Sequence, residues 1–482
     1  MLNARAARLH FGRAAIAATG RRGAMAVVML STLLLIVVES RALTLLATAA
    51  LVSFLMLGWR QFRVGTWVPL LLCGGALALA LWRGVAASTL WQAMERMLFL
   101  ASLIAMLGTL RSAAAIAPEV RQAGLFLTNQ PASHRYLSMT FGGHLFGVLI
   151  NFGGLALLLD LARRSMSDDS ATRLPAPARE ARLRRMSMAV IRGFSMISLW
   201  SPFGFATNAL LISLPGLSYM DFGPIGFAMS FVFVAIGWGF DRLEGRRFQR
   251  LGLPRPSPPP GSWRGAVVLV GHVLALGAAV FAGEALTPLG FQQALIFAVP
   301  GYALVWAAVT GHRAMGGAAA GVGAAGRAAW ARLSDLGAEV GVFAAAGFLP
   351  VVLLEILPTE PLRAGVLAVG LGPVALALGL SLGVVGMALV GVNPIVSASV
   401  FGTLASQLAV PGLSDTAIAL AITGGWTAVI GLSPFITTLV IAASIIGRGS
   451  HVIGLVWNGP YCAAILSIWV VFLTVLMRGG WI

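Results

Sequence analysis

Hydrophobic and polar positions alternate along this chain on the scale of whole membrane crossings rather than single helical turns. Apolar runs near 24–40, 42–59, 67–83 and 91–110 are separated by only a few polar residues, and about twenty apolar residues suffice to cross a bilayer. The stretch 112–133 then sets Pro118, Glu119 and Arg121 beside Leu125-Phe126-Leu127, a mixture that suits a helix lying along a surface. Further uninterrupted runs follow at 222–240, 265–283, 288–310, 337–357 and 452–477.

Two apolar segments are longer and are interrupted. Residues 186–214 contain Trp200-Ser201-Pro202-Phe203-Gly204, and residues 414–446 contain Leu432-Ser433-Pro434-Phe435. Ser201 and Ser433 are separated by close to half of the 482 residues. Proline removes a backbone donor and clashes with the preceding turn, so each segment is predicted to break near its middle. Unwound backbone persists inside a bilayer only where protein or a water-filled cavity surrounds it. Matching breaks in two halves of one chain point to a transporter's binding site.

Residues 134–162 carry Gly142-Gly143-His144 and then Asn151-Phe152-Gly153-Gly154, enough for one tilted span or for two short helices meeting at Asn151. The next stretch, 163–185, holds Arg163, Arg164, Arg173, Arg179, Arg182, Arg184 and Arg185, and so belongs on the cytoplasmic side. Counting spans from the N-terminus leaves residue 133 on that side too. Residues 134–162 must then enter and leave by one face, as a re-entrant hairpin. A second candidate hairpin, 366–412, turns at Gly391-Val392-Asn393-Pro394 and opens to the other face.

The expected organisation is a cytoplasmic basic helix at 1–23, a first half at 24–250, a proline-rich cytoplasmic linker at 251–264 and an inverted second half at 265–482. This is an all-α polytopic membrane protein of about eleven transmembrane helices plus two re-entrant hairpins. Its N-terminus is expected in the cytoplasm and its C-terminus in the periplasm, across a bacterial inner membrane.

Composition agrees with the pattern: 58% of residues are hydrophobic, 10% are charged and mean hydropathy is +0.90. The net charge of +17 rests on 33 basic residues, every one an arginine. Because they sit between apolar runs, loop bias and attraction to anionic lipid account for them, and no nucleic-acid partner is expected. Cys73 and Cys462 lie in apolar runs without metal-ligand spacing and read as small core hydrophobes. No metal or other cofactor is expected. Glu95, Asp160, Asp221, Glu284 and Glu355 fall near predicted span ends, and no acid falls at a break or a hairpin tip. A proton relay built on a buried carboxylate is therefore disfavoured, and an anionic or neutral solute fits better than an organic cation.

Half-helix ends present unpaired amide donors and positive dipole ends, which suit an anion. The candidate solute-binding residues are Asn151 and Gly153 at the first tip, and Ser201, Pro202, Thr207 and Asn208 at the first break. Their counterparts are Asn393 and Pro394 at the second tip, and Thr427, Ser433, Pro434 and Thr437 at the second break. Freed carbonyls, with Ser201, Thr207, Ser433 and Thr437, also suit a coordinated cation. Each residue has a competing structural use, since Ser and Thr bond back to their own helix and Asn ends helices. His144 either titrates during coupling or packs as a hydrogen-bonded ring. Arg192, near the inner end of the first broken segment, either steers an anion or snorkels to the surface.

Eleven spans, two opposed hairpins and two broken helices resemble the ion transporter superfamily, and within it the divalent anion:sodium symporter family. Members carry Ser-Asn-Thr at each hairpin tip, where Asn151 and Asn393 stand here; the flanks depart, with Ile150 and Phe152 in one copy and Val392 and Pro394 in the other. The family's Gly-Thr-x-x-Gly-x-Pro-Pro-Asn pattern is partly echoed by Ser201-Pro202 and Asn208, and Gly216-Leu217-Ser218-Tyr219-Met220-Asp221-Phe222 resembles its turn into the next helix. The resemblance implies a scaffold and a transport domain, an elevator-like motion, a homodimer and sodium as a coupling ion.

Three classes of function follow. The first is a secondary transporter moving a small, anionic organic or inorganic solute by alternating access, coupled to sodium or protons. The alternative is a membrane-embedded enzyme or flippase acting on a lipid-linked substrate, which would call for clustered His, Asp or Glu near one interface. A sensor or assembly scaffold would have little use for paired broken helices. The residues favour the transporter, and not an enzyme.

Overall fold

The computed structural model describes residues 2–166, 175–246 and 257–482, which form helices and connecting turns with no strand among them. Among the described residues, ten helices are long and apolar enough to cross a membrane. The second interrupted segment is absent from those ten because its pieces, Asp415–Ile430 and Thr437–Ile446, are each too short. A helix that breaks in mid-membrane loses the length by which a span is recognised.

The chain divides into two compact units, each assembled from both halves of the sequence. One comprises residues 1–116 and 280–358, and the other 117–279 and 359–482. The first unit centres on helix Gly337–Ile356, 78% buried over its most apolar window, which packs against Ala87–Ile116. Gly347 lets it approach so closely that a Cβ there would run into the Arg96 carbonyl. By contrast helix Val64–Trp82 is 22% buried, and Leu30, Leu34 and Leu71 point their side chains outward. In water such surfaces would drive association; in a bilayer they are the lipid face.

The second unit holds, in each half and in the same order, a helical hairpin, an interrupted helix and a long unbroken helix. The first set is the hairpin Ala132–Ile150 and Phe152–Arg164, the interrupted helix Ala176–Ser195, Ile197–Trp200 and Phe205–Ser213, and the long helix Tyr219–Gly245. The second set is the hairpin Pro373–Leu389 and Pro394–Leu408, the interrupted helix Asp415–Ile430 and Thr437–Ile446, and the segment Val452–Arg478. That last segment opens with a π-helical stretch, Val452–Asn458. The two interrupted helices form the interior: residues 417–430 are all buried, as are residues 186–196.

Four boundaries differ from those expected. Helix Leu2–Val37 is continuous, so the basic segment 1–23 is not a separate element. Nothing in Gly20-Arg21-Arg22-Gly23 stops a helix, and Arg21 is buried with its guanidinium over the Phe54 ring. The first interrupted helix begins at Ala176 rather than 186, because Pro175 starts it and the Ala, Arg, Glu and Leu that follow are strong helix formers. Hydropathy had marked where lipid begins, not where the helix begins. In the second hairpin the arms occupy 373–408, and Thr359–Ala368 is a helix of its own, ended before Gly370 at φ +68°. Of the linker expected at 251–264, residues 251–256 lie outside the described residues, and Trp263 already opens a helix.

Candidate functional site

The first hairpin turns on a single residue. Asn151 ends one arm and caps the next, its Oδ1 accepting from the Phe152 amide at 2.8 Å. Its φ of +54° and ψ of −136° lie where side chains other than glycine are strained, by about 1–3 kcal/mol. Gly154, one turn on, permits the arms to close, since a Cβ there would strike the Phe146 carbonyl. Gly153 is half-buried beside it.

Close backbone contact fixes this hairpin on the first interrupted helix. A Cβ on Gly193 would run into the Thr140 carbonyl, and one on Gly143 into the Val190 carbonyl. Small residues at matched positions are the usual device for joining helices where lipid removes any hydrophobic drive. At the tip the Phe152 ring lies 5.6 Å from Phe194 and 6.2 Å from Phe205, so the turn sits beside the break. His144 stacks on Trp200 at 5.4 Å, and its Nδ1–H donates to the Gly193 carbonyl at 3.2 Å. That bond is of the kind a packing histidine makes.

The first break, Ser201-Pro202-Phe203-Gly204, is buried throughout. Asn208 staples it, donating from Nδ2 to the Pro202 carbonyl at 3.1 Å and the Gly204 carbonyl at 2.9 Å. These are carbonyls that the break has freed from helical bonding. The Ser201 and Thr207 hydroxyls are fully buried and have no hydrogen-bond partner among the described residues. A buried polar atom left without a partner costs about 1–3 kcal/mol, and such atoms mark places where something else binds or strain is tolerated.

The second tip and break are also adjacent. Asn393 caps its arm, with Oδ1 accepting from the Ile395 amide at 3.1 Å, and Pro394 occupies the first helical position. Ser433 Oγ donates to the Ala388 carbonyl at 2.6 Å, and the Phe435 ring lies against Gly391. Leu432 and Ile436 pack with Val385, Ala388 and Val429. The two breaks are not equivalent, however: Pro434 and Thr437 are half-buried and Phe435 is 62% exposed.

The two interrupted helices meet directly. Ser198 Oγ and Thr427 Oγ1 lie 3.1 Å apart, and Thr427 also donates to the Thr423 carbonyl at 2.8 Å. A second link runs through Arg192, which is buried rather than snorkelling. Its Nε donates to Asn458 Oδ1 at 2.8 Å, and Asn458 Nδ2 donates to the Gly431 carbonyl at 3.1 Å, inside the second break. The Arg192 guanidinium lies 4.4 Å from the centre of the Tyr461 ring and donates from Nη1 to the Gly237 carbonyl. Carbonyls, an amide and an aromatic face replace water around the charge, which removes the reason to reach the surface.

Sequence reasoning passed over four of these groups. Ser397, Ser399 and Thr403 carry buried hydroxyls without partners among the described residues, on the hairpin arm that packs against Phe205–Ser213. Their only signal was three hydroxyl residues in the nine after Pro394. Asn458, an amide inside an apolar run, was the fourth. Among the described residues no group of His, Cys, Asp and Glu is arranged to hold a metal ion.

A polytopic all-helical membrane protein, with two hairpin tips set beside two broken helices in one unit, is the class this fold defines. Its backbone is similar to the crystal structure of the YdaH transporter from Alcanivorax borkumensis, a structure described as having an unusual topology. The TM-score is 0.54 at 18% identity, over 79% of this chain and 85% of that one. At that identity the likeness is one of fold. No protein-family model matches the sequence, and no curated protein does.

Proposed function

We propose that this chain is a secondary transporter that moves a small anionic solute across the bacterial inner membrane by elevator-like alternating access. The observation that carries the reading is the adjacency of tip and break in both halves, with Phe152 beside Phe205 and Gly391 beside Phe435. Four half-helix ends then converge on one unit, and their amide dipoles favour negative charge. The buried hydroxyls of Ser201, Thr207, Ser397, Ser399 and Thr403 supply donors awaiting acceptors. In this reading Asn151 and Asn393 hold the tips, Gly153 and Pro394 open the amide-bearing turns, and Thr427, Ser433, Pro434 and Thr437 shape the second break. Sodium is the coupling ion we favour, bound by freed carbonyls at the breaks. The hairpins are re-entrant from opposite faces, the N-terminus is cytoplasmic, the C-terminus is periplasmic and the transporter works as a homodimer. The resemblance to divalent anion:sodium symporters and the likeness to a transporter fold both support this.

The test is uptake by proteoliposomes under imposed sodium or pH gradients, with a panel of radiolabelled dicarboxylates, sulfate and phosphate. Gradient-driven uptake of at least one anion is expected, abolished in Asn151→Ala and Asn393→Ala protein that still elutes as a folded species. Uptake unchanged in both variants would remove the tips from the site, and no uptake of any anion under either gradient would overturn the proposal.

A further inference from the structure

The charge of Arg192 is answered by no acid. The side chain is buried, and among the described residues no carboxylate lies within ion-pairing distance of it. Asp241 stands one turn beyond Gly237, whose carbonyl Arg192 uses, but both of its oxygens already accept from Arg185, at 2.7 and 2.6 Å. A charge inside a span is costly, and those that are kept mark the paths of ions and substrates.

A guanidinium only donates, and this fixes the group beyond it. With Arg192 Nε on Asn458 Oδ1, the amide of Asn458 turns Nδ2 the other way, toward the Gly431 carbonyl. Gly431 caps the C-terminal end of Asp415–Ile430, so its carbonyl is one that the second break has freed. The approach is built in at two points. A Cβ on Gly431 would lie 2.4 Å from Asn458 Nδ2, and one on Gly454 would lie 2.3 Å from the Leu432 carbonyl. Both contacts come from the π-helical stretch Val452–Asn458, and π-helical turns are rare and recur at functional sites.

The second break thus has a freed carbonyl covered by a donor and a positive charge one amide away. Both features disfavour a cation there and favour an anion. We infer that Arg192, acting through Asn458, is a positioning residue that sets the preference of the second break for negative charge. The inference rests on the anion-transport reading above and deepens it by naming the group that selects the charge.

Full-length protein in proteoliposomes is assayed for uptake of sulfate, phosphate and succinate, and KM and kcat are measured for each anion that wild type transports. A charge that acts on binding alone raises KM and leaves kcat. Arg192→Gln is expected to raise KM about tenfold, whereas Arg192→Lys, which keeps the charge, should stay within about threefold of wild type. Both variants lose stability, so a merely structural role predicts that they transport alike. Should either fail to fold, Asn458→Asp is compared with Asn458→Leu. Both lose the donor to Gly431, but only the carboxylate cancels the charge, and its KM is expected about tenfold above that of the leucine variant. Equal KM within either pair overturns the inference and leaves the transport reading in place. Absence of anion uptake by wild type overturns both.

Discussion

Ser198 and Thr427 are separated by more than two hundred residues, and their hydroxyl oxygens lie 3.1 Å apart at the crossing of two interrupted helices. Thr427 donates its single hydrogen to the Thr423 carbonyl at 2.8 Å, so the bond between the two takes its hydrogen from Ser198, whose other acceptor within reach is the Ser195 carbonyl at 2.7 Å. A double-mutant cycle with Ser198→Ala and Thr427→Ala, read by unfolding in bicelles, is expected to give a coupling of about 0.6 kcal/mol, the mean for such bonds between membrane helices.

Arg192 has a larger role. Arg192→Gln strands Asn458 Oδ1 and empties the face of Tyr461, and is expected to destabilise the protein by about 2–4 kcal/mol. Arg192→Lys should not restore stability, because an ammonium lacks the planar fork that reaches Asn458 and Gly237 together. Melting temperatures of the three proteins in one detergent check this.

The contact between the first hairpin and the first interrupted helix is equally sharp. Gly193→Ala puts a methyl against the Thr140 carbonyl, where backbone on both sides leaves nothing to rotate away. The expected cost is about 1–3 kcal/mol. Gly239→Ala is the control: it lies on the neighbouring long helix with open space around it, and its melting temperature should stay at or above wild type.

Asn151 separates strain from function. Asn151→Gly relieves the positive φ, and the variant is expected to be at least as stable as wild type, while Asn151→Ala keeps the strain and loses the cap, costing about 1–2 kcal/mol. If the Asn151 side chain contacts solute, both variants lose uptake, so activity and stability part company in the glycine variant.

The hydroxyls of Ser201 and Thr207 allow the same separation at the break. Ser201→Ala and Thr207→Val remove buried donors that have no partner among the described residues, so neither is expected to lower the melting temperature. Each should raise the KM for a transported anion about fivefold, one hydrogen bond's worth.

The architecture was largely legible because proline and hydropathy act locally. Pro202 and Pro434 remove a backbone donor where they stand, although Pro69, Pro300 and Pro350 lie within continuous helices, and a run of apolar residues is a span whatever it packs against. What the sequence hid depends on neighbours. Ser399 looks the same in an apolar helix whether it bonds back to its own turn or points into a void, and only the packed structure separates the two. Arg192 was legible as a charge, but its partners Asn458 and Tyr461 come from the far end of the chain. The start of the first interrupted helix was misplaced because arginine-rich turns look like loops to a hydropathy scale, although arginine is a good helix former.

The polypeptide passes between its two units three times, at 116–117, 279–280 and 358–359. Two of these passages fall outside helices and next to proline, Pro118 in one case and Pro358 in the other. The third lies within the unbroken helix Trp263–Leu286. Two of the passages thus run through backbone outside a helix, and one runs through continuous helix. A proline placed near Ala279 would remove a backbone donor from that helix at the passage, without touching either broken helix.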